Sequence, residues 1–179
     1  MEYEKITRDW VEHFVIALNL CPFAKKPAIE GRIRFVVFDG EDPSVLGEKL
    51  AEELLFLLNI DPEITETTLL IHPQVLTDFE SYNDYLDVWE ELLQGLELEG
   101  EIQIASFHPD YQFAGTDPGD PENFTNRSPF PMLHLIREAS VSKAVDLYPD
   151  IEGIPSRNID RLNELGLEGI LKYFNFNPS

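Results

Sequence analysis

Apolar positions recur along this chain with two periods, and they mark out its elements in turn. Trp10, Val11, Phe14, Val15 and Leu18 fall on one side of a 3.6-residue repeat, which predicts an amphipathic helix over residues 4–20. Asn19-Leu20-Cys21-Pro22 ends it, because proline cannot continue the pattern and disfavours helical geometry at the residue before it. Lys25, Lys26 and Pro27 begin a connector, and Arg32 to Asp39 reads as a first strand with Gly40 as its breaker. Asp42-Pro43 opens a second helix, the carboxylate as cap and the proline in the first turn, with Leu46, Leu50, Leu54, Leu57 and Leu58 as its buried stripe. Thr67 to His72 is a second strand, stopped by Pro73. Thr77 and Glu80 have the spacing of a capping box. The helix behind them carries Tyr82, Tyr85, Leu86, Trp89, Leu92 and Leu93 on one stripe, with Gly95 near its end. Ile102 to Phe107 is a third strand, stopped by His108-Pro109.

Strands alternating with helices, joined by long connections and no hairpin turn, predict an α/β fold with a βαβαβ core. The sheet is expected to be mainly parallel, in two or three layers, with additional N- and C-terminal helices. A ferredoxin-like α+β arrangement is the alternative if a further strand lies near Tyr111 to Phe113. Residues 109–128 form a long loop rich in Asp, Pro, Gly and Asn, of a length that is usually functional or disordered. Ser128 as cap and Pro129 at the first position then predict a helix with His134, Arg137 and Glu138 on one face and Met132, Leu133, Ile136 and Ala139 on the other. Short helices follow near 141–147, from Ser156 to Leu165 ending at Gly166, and near 168–175. No internal repeat or low-complexity tract interrupts the chain, and 179 residues make about one domain, 1–179.

Charge changes the picture of partners. The chain has 34 acids against 13 bases, net -21, and residues 50–126 contain 18 Asp or Glu and no Lys or Arg. Such a field repels phosphate backbones and anionic lipid, so nucleic acid and membrane surfaces are poor partners. The single cysteine, Cys21, excludes an intrachain disulfide and fits a reducing compartment. With no signal-like start and no apolar run near 18 residues, a cytoplasmic protein is expected. The triplets Asn123-Phe124-Thr125 and Asn126-Arg127-Ser128 then read as chance matches to a glycosylation signal.

Chemically capable side chains crowd into 107–115 and 126–138. In an open parallel sheet ligands bind beyond the carboxyl ends of the strands, and the three strands end in Asp39, His72 and His108. The plainer readings are a turn-forming aspartate and two buried imidazoles bonded to loop carbonyls. His108 and Asp110 could act as base and orienting carboxylate, or with His72 as ligands of a divalent metal, though the spacing matches no zinc pattern. Arg127 and Arg157 stand at predicted helix starts, where a cation is disfavoured without an anion beside it. With Arg137 they suggest a carboxylate or phosphate clamp; the plainer reading pairs them with the many acids. Cys21 is a possible nucleophile, weakened by its place after a helix C-terminus and by its apolar neighbours.

Asn19-Leu20-Cys21-Pro22-Phe23-Ala24, His108-Pro109-Asp110-Tyr111-Gln112-Phe113-Ala114-Gly115, Asn126-Arg127-Ser128-Pro129 through Ala139 and Ile154-Pro155-Ser156-Arg157-Asn158-Ile159 together resemble a bacterial, cyanobacterial and plastid family, domain of unknown function 1415. The resemblance covers nearly the whole chain and implies no activity. The residues themselves suggest an enzyme for a small anionic metabolite, of hydrolase or lyase type. His108, Asp110, His134 and Glu138 are its acid, base and orienting groups, and Arg127, Arg137, Arg157, Tyr111, Gln112 and Asn126 hold the substrate. The alternative is a non-catalytic protein that binds a metabolite or partner in the same pocket. Neither the Gly-rich fingerprint of NAD sites nor the phosphate loop of ATP sites is present.

Overall fold

A computed structural model describes residues 2–147 and 153–174. The last predicted helix runs to residue 175, which lies outside the described residues.

The first helix is α1 (Glu2–Trp10), continued without a break by a π-helical stretch at Val11–Ile16. The wider turn lets Trp10, Val11, Phe14 and Leu18 all be buried. After the short α2 (Lys25–Ile29) come β1 (Ile33–Val37), α3 (Pro43–Asn59), β2 (Thr67–Ile71), α4 (Phe79–Asp84), α5 (Leu86–Gly95) and β3 (Ile102–Phe107). Asp42 caps α3 as expected, its carboxylate accepting the Ser44 N–H at 2.8 Å. Leu46, Leu50, Leu54 and Leu57 are fully buried, but Leu58 is exposed; Glu53 is buried in its place. The cap of α4 is Asp78, accepting from Ser81 N at 2.9 Å, so Thr77 is not the capping residue.

The predicted helix after Ser128 is a strand, β4 (Met132–Arg137). Ser128 is not a helix cap; its hydroxyl donates to Phe130 O at 2.7 Å and closes a turn. The physical reason lies in Ser128-Pro129-Phe130-Pro131, where two prolines push both preceding residues towards extended geometry. The next five residues, Met132 to Ile136, are a short apolar run with one histidine, which is how a strand covered on both faces reads. Met132, Leu133 and Leu135 are fully buried.

The fold is mixed α/β, with strand order β1-β2-β4-β3. β1 and β2 are parallel, and β4 lies antiparallel between β2 and β3. The mainly parallel sheet is therefore corrected: β1, β2 and β3 run the same way, but β4 separates β3 from the other two. The ferredoxin-like alternative also falls, because the extra strand is 132–137 rather than 111–113 and helices cover both faces. One face packs Leu70, Leu133, Leu135 and Ile102 against α3, Tyr82 and Trp89. The other packs Leu69, Ile71 and Met132 against the first helix, Phe124 and α7 (Ile154–Phe174), which breaks at Gly166. At Gly166 φ is 61° and ψ 168°, a backbone state that side chains strongly disfavour. α6 (Glu138–Leu147) follows β4 directly. Among the described residues no helix is long and apolar enough to cross a membrane.

Arg137 closes the end of β4. Its guanidinium donates to Ile60 O at 2.7 Å and Thr65 O at 3.1 Å, satisfying carbonyls where α3 gives way to β2. Arg137→Ala would strand these carbonyls and is expected to cost about 1–3 kcal/mol of stability. Urea unfolding at neutral pH measures it; an unchanged midpoint would show that water replaces the guanidinium without loss.

Candidate functional site

Because β1, β2 and β3 run in one direction, their carboxyl ends share an edge of the sheet. His72 and His108 flank the start of β4 there: His72 N–H donates to Pro131 O at 3.0 Å and His108 N–H to Asn126 O at 3.2 Å. Both imidazoles are fully buried, and Tyr82 lies against each, with ring centroids 5.8 Å from His72 and 5.1 Å from His108. The Tyr82 hydroxyl donates to Met132 O at 2.9 Å and accepts from Phe107 N at 3.0 Å, fastening α4 to the rim. His72 Nδ1 lies 2.9 Å from Val75 O and must carry the proton, whereas His108 Nδ1 accepts the Asp110 N–H at 3.1 Å and must be bare. Both Nε2 atoms are buried without a hydrogen-bond partner. Burial drives the pKa of His72 down to about 4, with His108 adding to the effect. It also lowers that of His108, against the opposing pull of Asp110, Asp78 and the Leu76 and Thr77 carbonyls.

Asp110 is therefore linked to His108 through its backbone, while its exposed carboxylate faces solvent beside Arg127. Arg127 donates to Tyr111 O at 3.1 Å and Pro118 O at 2.7 Å and lies 4.6 Å above the Phe124 ring. It ties the 109–126 loop together and is not at a helix start. Asn126 bridges the loop to Ser106 O, and the Gln112 amide donates to Thr116 O. Asn123, missed in the sequence, is fully buried and accepts from Phe113 N and Thr116 Oγ1 at 2.9 Å each. An asparagine just before the loop aromatic Phe124 was the signal for it.

The expected partnership across 108–138 is not present. His134 and His108 lie on opposite faces of the sheet, since His108 packs against Phe79 and Tyr82 while His134 faces the first helix. In a strand, His134, Arg137 and Glu138 no longer share a face. Glu138 starts α6, its N–H bonded to Glu101 O at 2.9 Å. Arg157 is exposed near the start of α7, in a cleft of about 260 Å³ with Asn158 and Arg161, and Arg127 and Arg137 are engaged by carbonyls elsewhere. The three guanidiniums do not form one clamp. Among the described residues no three His, Cys, Asp or Glu side chains converge as a metal-ligating set, so His72, His108 and Asp110 are not joined as metal ligands.

What the structure brings together instead is Cys21 and His134, on the wall of a cavity of about 360 Å³ between the first helix and the sheet. Asn158 Nδ2 donates to Leu20 O at 2.7 Å, pinning the Cys21 turn to α7. Trp10, Phe23, Phe107 and Leu69 supply apolar wall, and Glu66, Thr67, Gln103 and Ser140 supply polar groups. The polar positions Thr67 and Gln103 inside apolar strands were the available clue. The Thr67 hydroxyl donates to Leu135 O at 2.5 Å and so must accept at 2.7 Å from His134 Nε2–H. His134 Nδ1 is thereby left unprotonated, an acceptor. Burial holds the His134 pKa at about 4, and burial likewise raises the Cys21 thiol against the pull of the Phe23 and Ala24 N–H groups.

Buried neutral imidazoles make stability depend on pH with a definite sign. Below about pH 6.5 the unfolded chain binds protons at His72 and His134 that the folded chain refuses until about pH 4. Stability is thus full above 6.5 and falls as pH drops towards 4, by about 3 kcal/mol for each ring. His134→Phe is expected to flatten this slope relative to wild type in urea titrations between pH 6.5 and 5. Identical slopes would mean that the ring takes up its proton inside the fold.

A family model described as protein of unknown function (DUF1415) matches residues 2–172 of the 179. No curated protein and no solved structure shows significant similarity to the chain.

Proposed function

The chain belongs to this DUF1415 family, whose description carries no activity, and we propose from the site itself that the protein binds a small, largely apolar molecule in the cavity between its first helix and the sheet. One observation carries the reading: an interior space of about 360 Å³ has an apolar wall and a few polar groups converging on it, the usual composition of a ligand site. The energetics favour binding over turnover. An imidazole with a pKa near 4 is a weak base at neutral pH, and a thiol pushed upward by burial is a poor nucleophile. The cavity replaces the anion-clamping pocket expected around Arg127, Arg137 and Arg157, whose guanidiniums are apart.

The neutral dye N-phenyl-1-naphthylamine, which brightens in apolar surroundings, is expected to bind wild type at one equivalent. Val141→Phe, which fills the cavity wall, is expected to weaken it by roughly tenfold or more. Saturable binding that survives the substitution would locate the dye elsewhere and remove the support for this reading.

An enzymatic reading has one supporting observation, the placement of Cys21 and His134 on the same wall. The two readings differ in alkylation kinetics, which are clean because Cys21 is the sole thiol. Binding without activation predicts an iodoacetamide rate that is slow at pH 7 and still rising above pH 9. A plateau below pH 8 would instead indicate a thiolate stabilised by the imidazole and would favour catalysis.

A further inference from the structure

Resting on the reading of the cavity as a ligand site, we propose that its ligand is an uncharged molecule whose polar end donates a hydrogen bond to His134 Nδ1: an alcohol, phenol or neutral N–H compound, and not a carboxylate or phosphate. Three features of the wall lead there. First, the acceptor has a fixed sense. The Thr67 hydroxyl has one proton and gives it to Leu135 O, so the His134 tautomer is set with Nε2 protonated and Nδ1 bare. A ligand meeting that nitrogen must bring the proton.

Second, among the described residues no lysine or arginine lines the cavity. The wall residue Glu66 is paired with the guanidinium of Arg32, which is buried and also engaged by Glu30 and the Pro62 carbonyl. An anion entering the cavity would lose its hydration without gaining a cation, a cost of several kcal/mol. Third, the charged wall residue among the described residues is Glu66, whose carboxylate is already paired with Arg32, so the pair leaves no free cation for an anion. The Gln103 amide can both donate and accept, and so serves a neutral head group equally well. Trp10 and Phe107, edge to face with centroids 5.7 Å apart, offer an aromatic surface to the ligand's body.

The test uses three probes with one ring system, each displacing N-phenyl-1-naphthylamine from the wild-type protein at pH 7. They are 2-naphthol, which is neutral and a donor; 2-methoxynaphthalene, neutral without a donor; and 2-naphthoate, an anion. The expected order places 2-naphthol first, roughly fivefold tighter than the methyl ether and at least tenfold tighter than the carboxylate. In His134→Phe the preference for the naphthol over its ether should vanish. That variant keeps Thr67 bonded to Leu135, and the wild-type series stands without it if it fails to fold. Naphthoate binding as tightly as naphthol, or a naphthol preference that persists in His134→Phe, overturns the ligand class while leaving the cavity a binding site. Failure of the dye itself to bind overturns both.

Discussion

The molecule depends on a single strand that is covered on every side. β4 bonds to β2 along one edge and to β3 along the other, and its side chains feed both cores. It runs against its neighbours, so its start meets the ends of β2 and β3, and the groups at those ends must fit around Met132. That constraint explains why two imidazoles and a tyrosine hydroxyl are gathered there. The hydroxyl bonds to Met132 O on one strand and Phe107 N on the next, at a place where a ladder would otherwise run out of partners.

A central strand can hold a polar side chain only if the sheet supplies its partner. For His134 the partner is Thr67, one strand away, and the chain of bonds ends on the backbone of β4 itself. The same low-dielectric surroundings that make this bond matter also keep the ring neutral. Three histidines are thereby held in the uncharged form: two at the rim and one on the cavity wall. Each has its tautomer set by a particular neighbour, Val75 O, the Asp110 N–H or the Thr67 hydroxyl.

Much of the scaffold was legible because its signals are local. Asp42-Pro43 starts a helix by capping chemistry, and the leucine stripe to Leu57 follows the helical period. β2 and β3 are each followed by a His-Pro pair whose proline bounds the strand. Family membership was legible in the motifs from Asn19 to Ala24 and from His108 to Gly115. β4 was not, since a short apolar run does not declare its period, and Ser128-Pro129 imitates a helix start; only Pro131 after Phe130 argued otherwise. That one misreading moved His134, Arg137 and Glu138 onto a shared face they do not have. The cavity was hidden for another reason: Cys21, Thr67, Gln103 and His134 meet only through tertiary packing. Arg137, read as a ligand clamp, proves to be backbone bracing, because a guanidinium serves a peptide carbonyl as readily as an anion.

The π-helical stretch at Val11–Ile16 carries a consequence for how this chain tolerates length changes. A π turn holds one residue more than an α turn can accommodate, so losing a residue there would relax it to ordinary helix. A π turn sweeps, with one residue more, about the same angle as the α turn that would replace it, so everything downstream on that helix would keep its phase. Leu18 would still face the sheet, and the Asn19–Ala24 turn would still lie against α7. The hydrocarbon wall and the thiol are therefore buffered against the loss of one residue in the helix ahead of them.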